Sequence, residues 1–291
     1  MKNETKIRVA VVYNHTGEDV YEKYRDIDPS SLDFEPEYDI KVATVTEEYE
    51  AIANALSKEG YETELLNIEE DIQVMIDLLT KNPPHVVFNL IEHFKGESEL
   101  ENHVAGLYNL YGVCYTGAGP FTLALCRRKG MTKQLLLANK VPTPRYRLLS
   151  EPKLPARHGL HYPMIVKPAR EDASSGVEKD SVVYNLDQLN ERINKVFQEY
   201  QQPILVEEFI EGRELHVSIL GNDPPEVLPI IEFDFSELPS DHPTIISYDA
   251  KWEPLEESFQ GSFRMSCKTD KAVREESERC RACSLQNYRL S

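Results

Sequence analysis

Lys167 closes an apolar run in "PMIVKPAREDASSGVEKD" (163–180), where a proline and a small-residue loop follow it. An ammonium held behind apolar residues loses hydration unless an anion meets it, so the position suits a phosphate. The loop "ASSG" (173–176) adds Ser174, Ser175 and Gly176, small residues that let backbone N–H groups come close to phosphate oxygens. Farther on, "EEFIEGRE" (207–214) joins two strand-like runs through a carboxylate pair and a Gly-Arg turn, a hinge on which an adenine edge and ribose hydroxyls can be hydrogen-bonded. Taken alone, Lys167 would more often be a strand-end lysine snorkelling into solvent beside a flexible hairpin.

Other catalytic signatures are missing. There is no G-x-x-x-x-G-K-[ST] phosphate loop, and "GAGPFT" (117–122) lacks the third glycine of the dinucleotide fingerprint and does not follow the first strand. Neither G-x-S-x-G nor H-E-x-x-H occurs. Five cysteines form an odd set without a disulfide rhythm, as in a reducing compartment, and "CRAC" (280–283) has no second pair or His cluster nearby to complete a zinc site.

The elements that must position these residues alternate along the first half. "IRVAVVY" (7–13) reads as a buried strand, "TEEYEAIANALSKEG" (46–60) as a helix ending at Gly60, and "TELLNI" (63–68) as the next strand. "EEDIQVMIDLLTKNPP" repeats the helix until two prolines stop it, and "HVVFNLI" (85–91) is a third strand. "SELENHVAGLYNLYG" opens with a Ser98–Glu101 capping box and leads to the short strand "VCYTG". This order implies an open parallel sheet, a Rossmann-like α/β domain. Residues 14–45 interrupt it after the first strand with an acidic, tyrosine-rich stretch, equally readable as a substrate loop, with Glu18 the best candidate for contact, or as a surface insertion.

After residue 120 the texture changes. A basic helix and a proline-set extended link ("RRKGMTKQLLLANKVPTPRYRLL") precede the strand "YPMIVKP", the small-residue loop, the strand "SVVY", the helix "LDQLNERINKVFQEY" and the strand "PILVEEFI". A hairpin follows, "ELHVSIL" and "EVLPIIEF" around "GNDPP". The expected domains are 1–125, a parallel-sheet substrate domain; 126–212, a smaller α+β lid; and 213–291, a C-terminal part. With 291 residues, 41% of them hydrophobic, the chain has core enough for two or three domains. A net charge of -18, from 32 basic against 50 acidic residues, disfavours nucleic acid and anionic membrane as partners. Without a signal-peptide core or a long apolar run, a cytoplasmic location is expected.

The order "VKP", small-residue loop, "EEFIEGRE" resembles the ATP-grasp superfamily, and specifically its D-alanine:D-alanine ligase branch, over almost the whole chain. The resemblance implies an N-terminal parallel-sheet domain followed by an ATP-grasp fold. It also implies an ATP-dependent carboxylate–amine ligase that joins amino acids through an acylphosphate, as in peptidoglycan synthesis, with ATP and Mg2+ as cofactors and a possible homodimer. Lys129 in "LCRRKGMTK" and Lys167 match the family's two phosphate lysines, with Lys133 a neighbour. Glu207 matches the residue that meets the adenine amino group, Glu208, Phe209 and Ile210 the hinge backbone, and Glu214 the ribose-binding acid. Lys251 in "SYDAKW" matches the lysine of the mobile loop at the terminal phosphate. Glu18 matches the acid that orients the first substrate's amino group, and "YTGAGP" (115–120) stands where the family has Y-T-G-S-G.

The chain departs from the family pattern in several places. Only Gly96 and Glu97 of "EHFKGESE" stay in register with the family's glycine-rich "HG..GEDG", Ala173 takes the place of a lid hydroxyl, and Trp252 that of the tyrosine after the mobile-loop lysine. A related amino acid or a dipeptide-like acid is therefore as plausible a substrate as D-alanine. After "TDKAVREESERCRACSLQNY" the family continues into "R-x-D" and "E-x-N-x-x-P" strands that carry its magnesium ligands, whereas this sequence stops at "YRLS". The expectation is a ligase cut short before its metal site; the alternative is a catalytically inactive nucleotide-binding ATP-grasp protein.

Overall fold

The computed structural model describes residues 6–17, 19, 21–32, 43–155, 157–239, 242–256, 258–259 and 264–266. The chain divides into two compact units, the second beginning at Arg128.

In the first unit, β1 (Arg8–Tyr13) is buried on both faces through Val9–Val12, and a strand covered on both sides reads as a continuous apolar run. Helix α1 (Val45–Lys58) leads to β2 (Glu62–Asn67), α2 (Ile72–Lys81) to β3 (Val86–Asn89), α3 (Glu101–Tyr111) to β4 (Cys114–Tyr115), and α4 (Pro120–Arg127) closes the unit. The sheet runs β2-β1-β3-β4 with every pair parallel, the open α/β arrangement that the alternation implied. Its core gathers Val12, Ile68, Met75, Leu79, Val87, Ile91, Val104 and Tyr108. Each such apolar side chain contributes about 1.5–3 kcal/mol by leaving water.

The expected Ser98–Glu101 capping box does not form. Residues 98–100 make a 3-10 turn, α3 starts at Glu101, and neither start carries a side-chain capping bond. A capping box occurs instead at α1, where the Thr44 hydroxyl accepts from Glu47 N–H and the Glu47 carboxylate accepts from Thr44 N–H.

The second unit opens with α5 (Lys129–Ala138) and β5 (Tyr146–Leu149), then β6 (Met164–Pro168), β7 (Val182–Val183), α6 (Leu186–Tyr200) and β8 (Ile204–Glu208). Strand β5 lies where the prolines predicted only an extended link; it pairs antiparallel with β8, Tyr146 opposite Glu207. The four-stranded antiparallel sheet has the order β5-β8-β6-β7. Side chains alternate across a strand, so Met164, Val166, Ile204 and Val206 pack on Leu189, Ile193 and Val196 of α6. Ile165, Lys167 and Glu207 are thereby turned to the other face.

Beyond β8, β9 (Glu214–His216) and β10 (Ile219–Leu220) return as β11 (Glu226–Val227) and β12 (Ile231–Asp234), pairing antiparallel as the expected hairpin. Helix α7 (Tyr248–Trp252) follows, and β13 (Arg264–Ser266) pairs with β12. Among the described residues no helix is long and apolar enough to cross a membrane. Cys114 and Cys126 are free and exposed, while the "CRAC" pair and the late helical stretch lie outside the described residues.

Candidate functional site

A cavity of about 400 Å³ lies wholly within the second unit. Its wall brings together Lys129, Lys167, Ser174, Ser175, Glu207, Glu208, Phe209, Ile210 and Glu214, nine of the twelve residues the sequence singled out. Ile165, Val177, Ile245 and Ile246 add apolar surface. A small-molecule site typically has such a size and such a mixture of apolar wall and few charges. Gly176 faces a second cleft of about 820 Å³, where Glu178, Asp180, Glu199 and Asp249 outnumber Lys179 and leave the wall acidic. Glu18 lies outside the described residues.

The charges on the cavity wall are organised by the sheet. Ile165 of β6 stands opposite Glu207 of β8, so Lys167, two residues on, reaches Glu207 along the diagonal. Its Nζ lies 2.6 Å from Glu207 Oε1. Lys133 Nζ, from the helix beside the sheet, donates to Glu207 Oε2 at 2.6 Å and to Thr143 Oγ1 at 2.6 Å. Burial pushes the Glu207 carboxyl up, but Lys167 and Lys133 outweigh it and hold the group below the usual carboxylate range. The Glu208 side chain turns the other way, accepting from the His161 N–H at 3.0 Å and approaching His161 Nδ1 at 2.9 Å. At the mouth, Lys129 Nζ donates to the Glu171 carbonyl and Lys129 N–H to the Ala169 carbonyl, which joins the start of α5 to the loop after β6.

The loop after β6 folds as a lid because its backbone takes left-handed dihedrals at Ala173, Ser174 and Gly176 (φ 47°, 64° and 72°). At Gly176 an added Cβ would lie 2.4 Å from Pro168 Cγ, so position 176 requires glycine on both conformation and space. Ser175 N–H donates to the Asp172 carbonyl at 2.8 Å and is therefore engaged within the loop. The lid is fastened to the segment bearing Lys251: Ser174 Oγ donates to Ile246 O at 2.9 Å, Tyr248 N–H to Val177 O at 2.8 Å, and Trp252 Nε1–H to Ala173 O at 3.0 Å. Lys251 itself, on α7, is not on the cavity wall.

Sequence reading passed over the lid's root. Arg192 of α6, almost fully buried, donates to Gly176 O, Ser181 Oγ, Glu178 and Asp180 at 2.7–2.9 Å. A charge at a core-facing position of an amphipathic helix was the available signal. Lys133, one turn after Lys129, was named only as a neighbour.

The family profile described as D-ala D-ala ligase C-terminus matches residues 144–290. The chain is 33% identical to the uncharacterized protein y4sG of Sinorhizobium fredii over 210 residues, covering 70% of this chain and 60% of that protein. To the D-alanine--D-alanine ligase of Carboxydothermus hydrogenoformans it is 32% identical over 213 residues, covering 70% and 63%. It thus spans about 60% of the length of these curated relatives. Among solved structures, the D-alanine--D-alanine ligase of Bacillus anthracis superposes with a TM-score of 0.64 at 18% identity, covering 97% of this chain and 78% of that one. The same enzyme complexed with ATP gives a TM-score of 0.61. At that identity the likeness carries the ATP-grasp fold alone.

Proposed function

The chain belongs to the D-alanine–D-alanine ligase family of ATP-grasp proteins, and from that membership we propose that it is an ATP-dependent carboxylate–amine ligase acting on amino acids. In such a reaction the substrate carboxylate takes the terminal phosphoryl group of ATP, giving an acylphosphate and ADP. An amine then attacks the acyl carbon and expels phosphate, leaving an amide. The protein needs no nucleophile for either step; positioning and compensation of charge suffice.

One observation carries this reading. Two lysines from different elements and a lid loop converge on a single cavity that also contains the hinge 207–210 and Glu214. Lys129 and Lys167 are assigned to the phosphates, the backbone of Glu208–Ile210 with Glu207 to the adenine edge, and Glu214 to the ribose hydroxyls. The lid, fastened by Ser174 and Trp252, keeps water from the acylphosphate. Lys251, carried by α7, is assigned to the terminal phosphate and Glu18 to the substrate amine. Residues 126–212 and 213–291 are the two sides of the grasp, since the cavity is lined from both.

Magnesium accompanies ATP in the family, but no group of three or more His, Cys, Asp or Glu among the described residues could hold a metal ion. No step above depends on one. Amino acids as small-molecule substrates, a cytoplasmic location and pairing of two copies belong to the same reading. Equilibrium binding of ATP tests it: Lys167→Ala should weaken binding about 100-fold, the effect of losing a charged contact to phosphate. Unchanged affinity refutes the site.

A further inference from the structure

Lys133 is not on the cavity wall, yet its ammonium is buried against a carboxylate that is. Its side chain and that of Glu207 are each 8% exposed, against 22% for Lys167. The Lys133 ammonium donates to Glu207 Oε2 and Thr143 Oγ1, each at 2.6 Å, and lies 5.0 Å from the centroid of the Tyr146 ring. Lys133 is thus held by protein groups behind Glu207, away from the cavity. Lys167 is placed differently, paired with Glu207 Oε1 and facing the cavity.

Two lysines and one carboxylate give the cluster one more formal positive charge than negative. Glu207 divides its two oxygens, Oε2 to the buried lysine behind it and Oε1 to the cavity lysine in front. If only Lys167 stood beside it, the two would form a closed neutral pair. Drawing Lys167 toward a phosphate would then leave a buried carboxylate without compensation, a costly state. With Lys133 in place, Glu207 keeps a full partner when Lys167 turns away.

We propose that Lys133 is a positioning residue for phosphate binding, holding Glu207 as an anion from behind so that Lys167 can give its charge to a phosphate group. The inference rests on the nucleotide reading of the cavity and adds to it a specific division of labour between two lysines. Glu207 is shared between a fixed cation and a transferable one.

Calorimetric titration of ADP, and separately of adenosine, into the full chain and its variants tests the inference. Lys133→Met should weaken ADP about tenfold or more while leaving adenosine within about twofold, because only the phosphate end depends on a free Lys167. Lys133→Arg keeps a cation behind Glu207 and should hold ADP affinity within about threefold of the unaltered chain. Equal ADP affinity in the unaltered and Lys133→Met chains overturns the role of Lys133. Loss of ADP and adenosine together in Lys133→Met, with Lys133→Arg no better, also overturns it, since that is the signature of a residue serving only the fold. Should Lys133→Met not fold, Lys133→Gln is titrated in its place: ADP affinity equal to that of the unaltered chain contradicts the proposal. Failure of the unaltered chain to bind ADP would instead refute the nucleotide reading itself.

Discussion

Trp252 Nε1–H donates to the carbonyl oxygen of Ala173 at 3.0 Å, joining α7 to the lid at the two positions where the sequence departs from the family pattern in that region. A side chain that reaches a backbone carbonyl does not care which side chain position 173 bears. The contact thus fastens the lid without the hydroxyl that Ala173 lacks.

Trp252 is the single tryptophan of the chain, so tryptophan emission reports on the surroundings of this one side chain. Saturating ATP is expected to change its emission. Trp252→Phe, which keeps a ring but loses the N–H, should weaken ATP roughly threefold to tenfold, the worth of one ordinary hydrogen bond. A titration followed by emission for the unaltered chain and by calorimetry for the variant checks both.

Gly176→Ala tests the lid's backbone. With φ at 72° and Pro168 Cγ 2.4 Å from the new methyl group, the substitution should cost about 2 kcal/mol or more of stability. Urea denaturation of the two chains measures it, and a cost under a few tenths would mean that the loop does not hold this conformation.

Arg192→Met removes the cation that binds Gly176 O, Ser181 Oγ, Glu178 and Asp180 together. Lys195 still pairs with both carboxylates, at 2.6 and 3.1 Å, but it is half exposed. The expected loss is about 3 kcal/mol, typical of breaking one side of a buried ion pair. The denaturation midpoint at neutral pH reads it directly.

Acid should act through the same lid root. Burial raises the Glu178 carboxyl, yet Lys195 and Arg192 together bring it below its ordinary value of 4.5, and Glu207 is likewise held low by Lys167 and Lys133. A carboxylate with a depressed folded-state pKa binds more protons when unfolded, so its stabilisation is complete above the ordinary value and disappears as pH falls through the folded one. The melting temperature should therefore fall below about pH 4.5, and less steeply in Glu178→Gln than in the unaltered chain. Parallel slopes in the two chains would remove Glu178 from the account.

What the sequence disclosed and what it concealed follow from the range of the interactions. The parallel sheet was legible because Val9–Val12 and the helices after it carry their periodicity locally, and Lys167 because a charge closing an apolar strand is conspicuous. Strand β5 was hidden by Pro142 and Pro144, whose turn chemistry dominates the neighbourhood; only pairing with the distant β8, Tyr146 opposite Glu207, makes it a strand. The Thr44–Glu47 box was obscured by the acidic interruption in which Thr44 sits, while Ser98–Glu101 had the right residues but a 3-10 turn took their place. The Lys133–Glu207–Lys167 cluster needs α5, β6 and β8 side by side, and no local pattern states that.

The central claim is that this cavity activates a carboxylate with ATP and passes it to an amine. The most direct test is to incubate the full chain with ATP, magnesium and a mixture of D- and L-amino acids, follow ADP release, and identify products by mass, with Lys167→Ala alongside. The account predicts ADP release that depends on amino acids, one amide formed for each ADP, and neither in the Lys167→Ala chain. A folded chain that binds ATP but releases no ADP in response to any amino acid would contradict it and identify the protein as a nucleotide-binding member of the family without ligase activity.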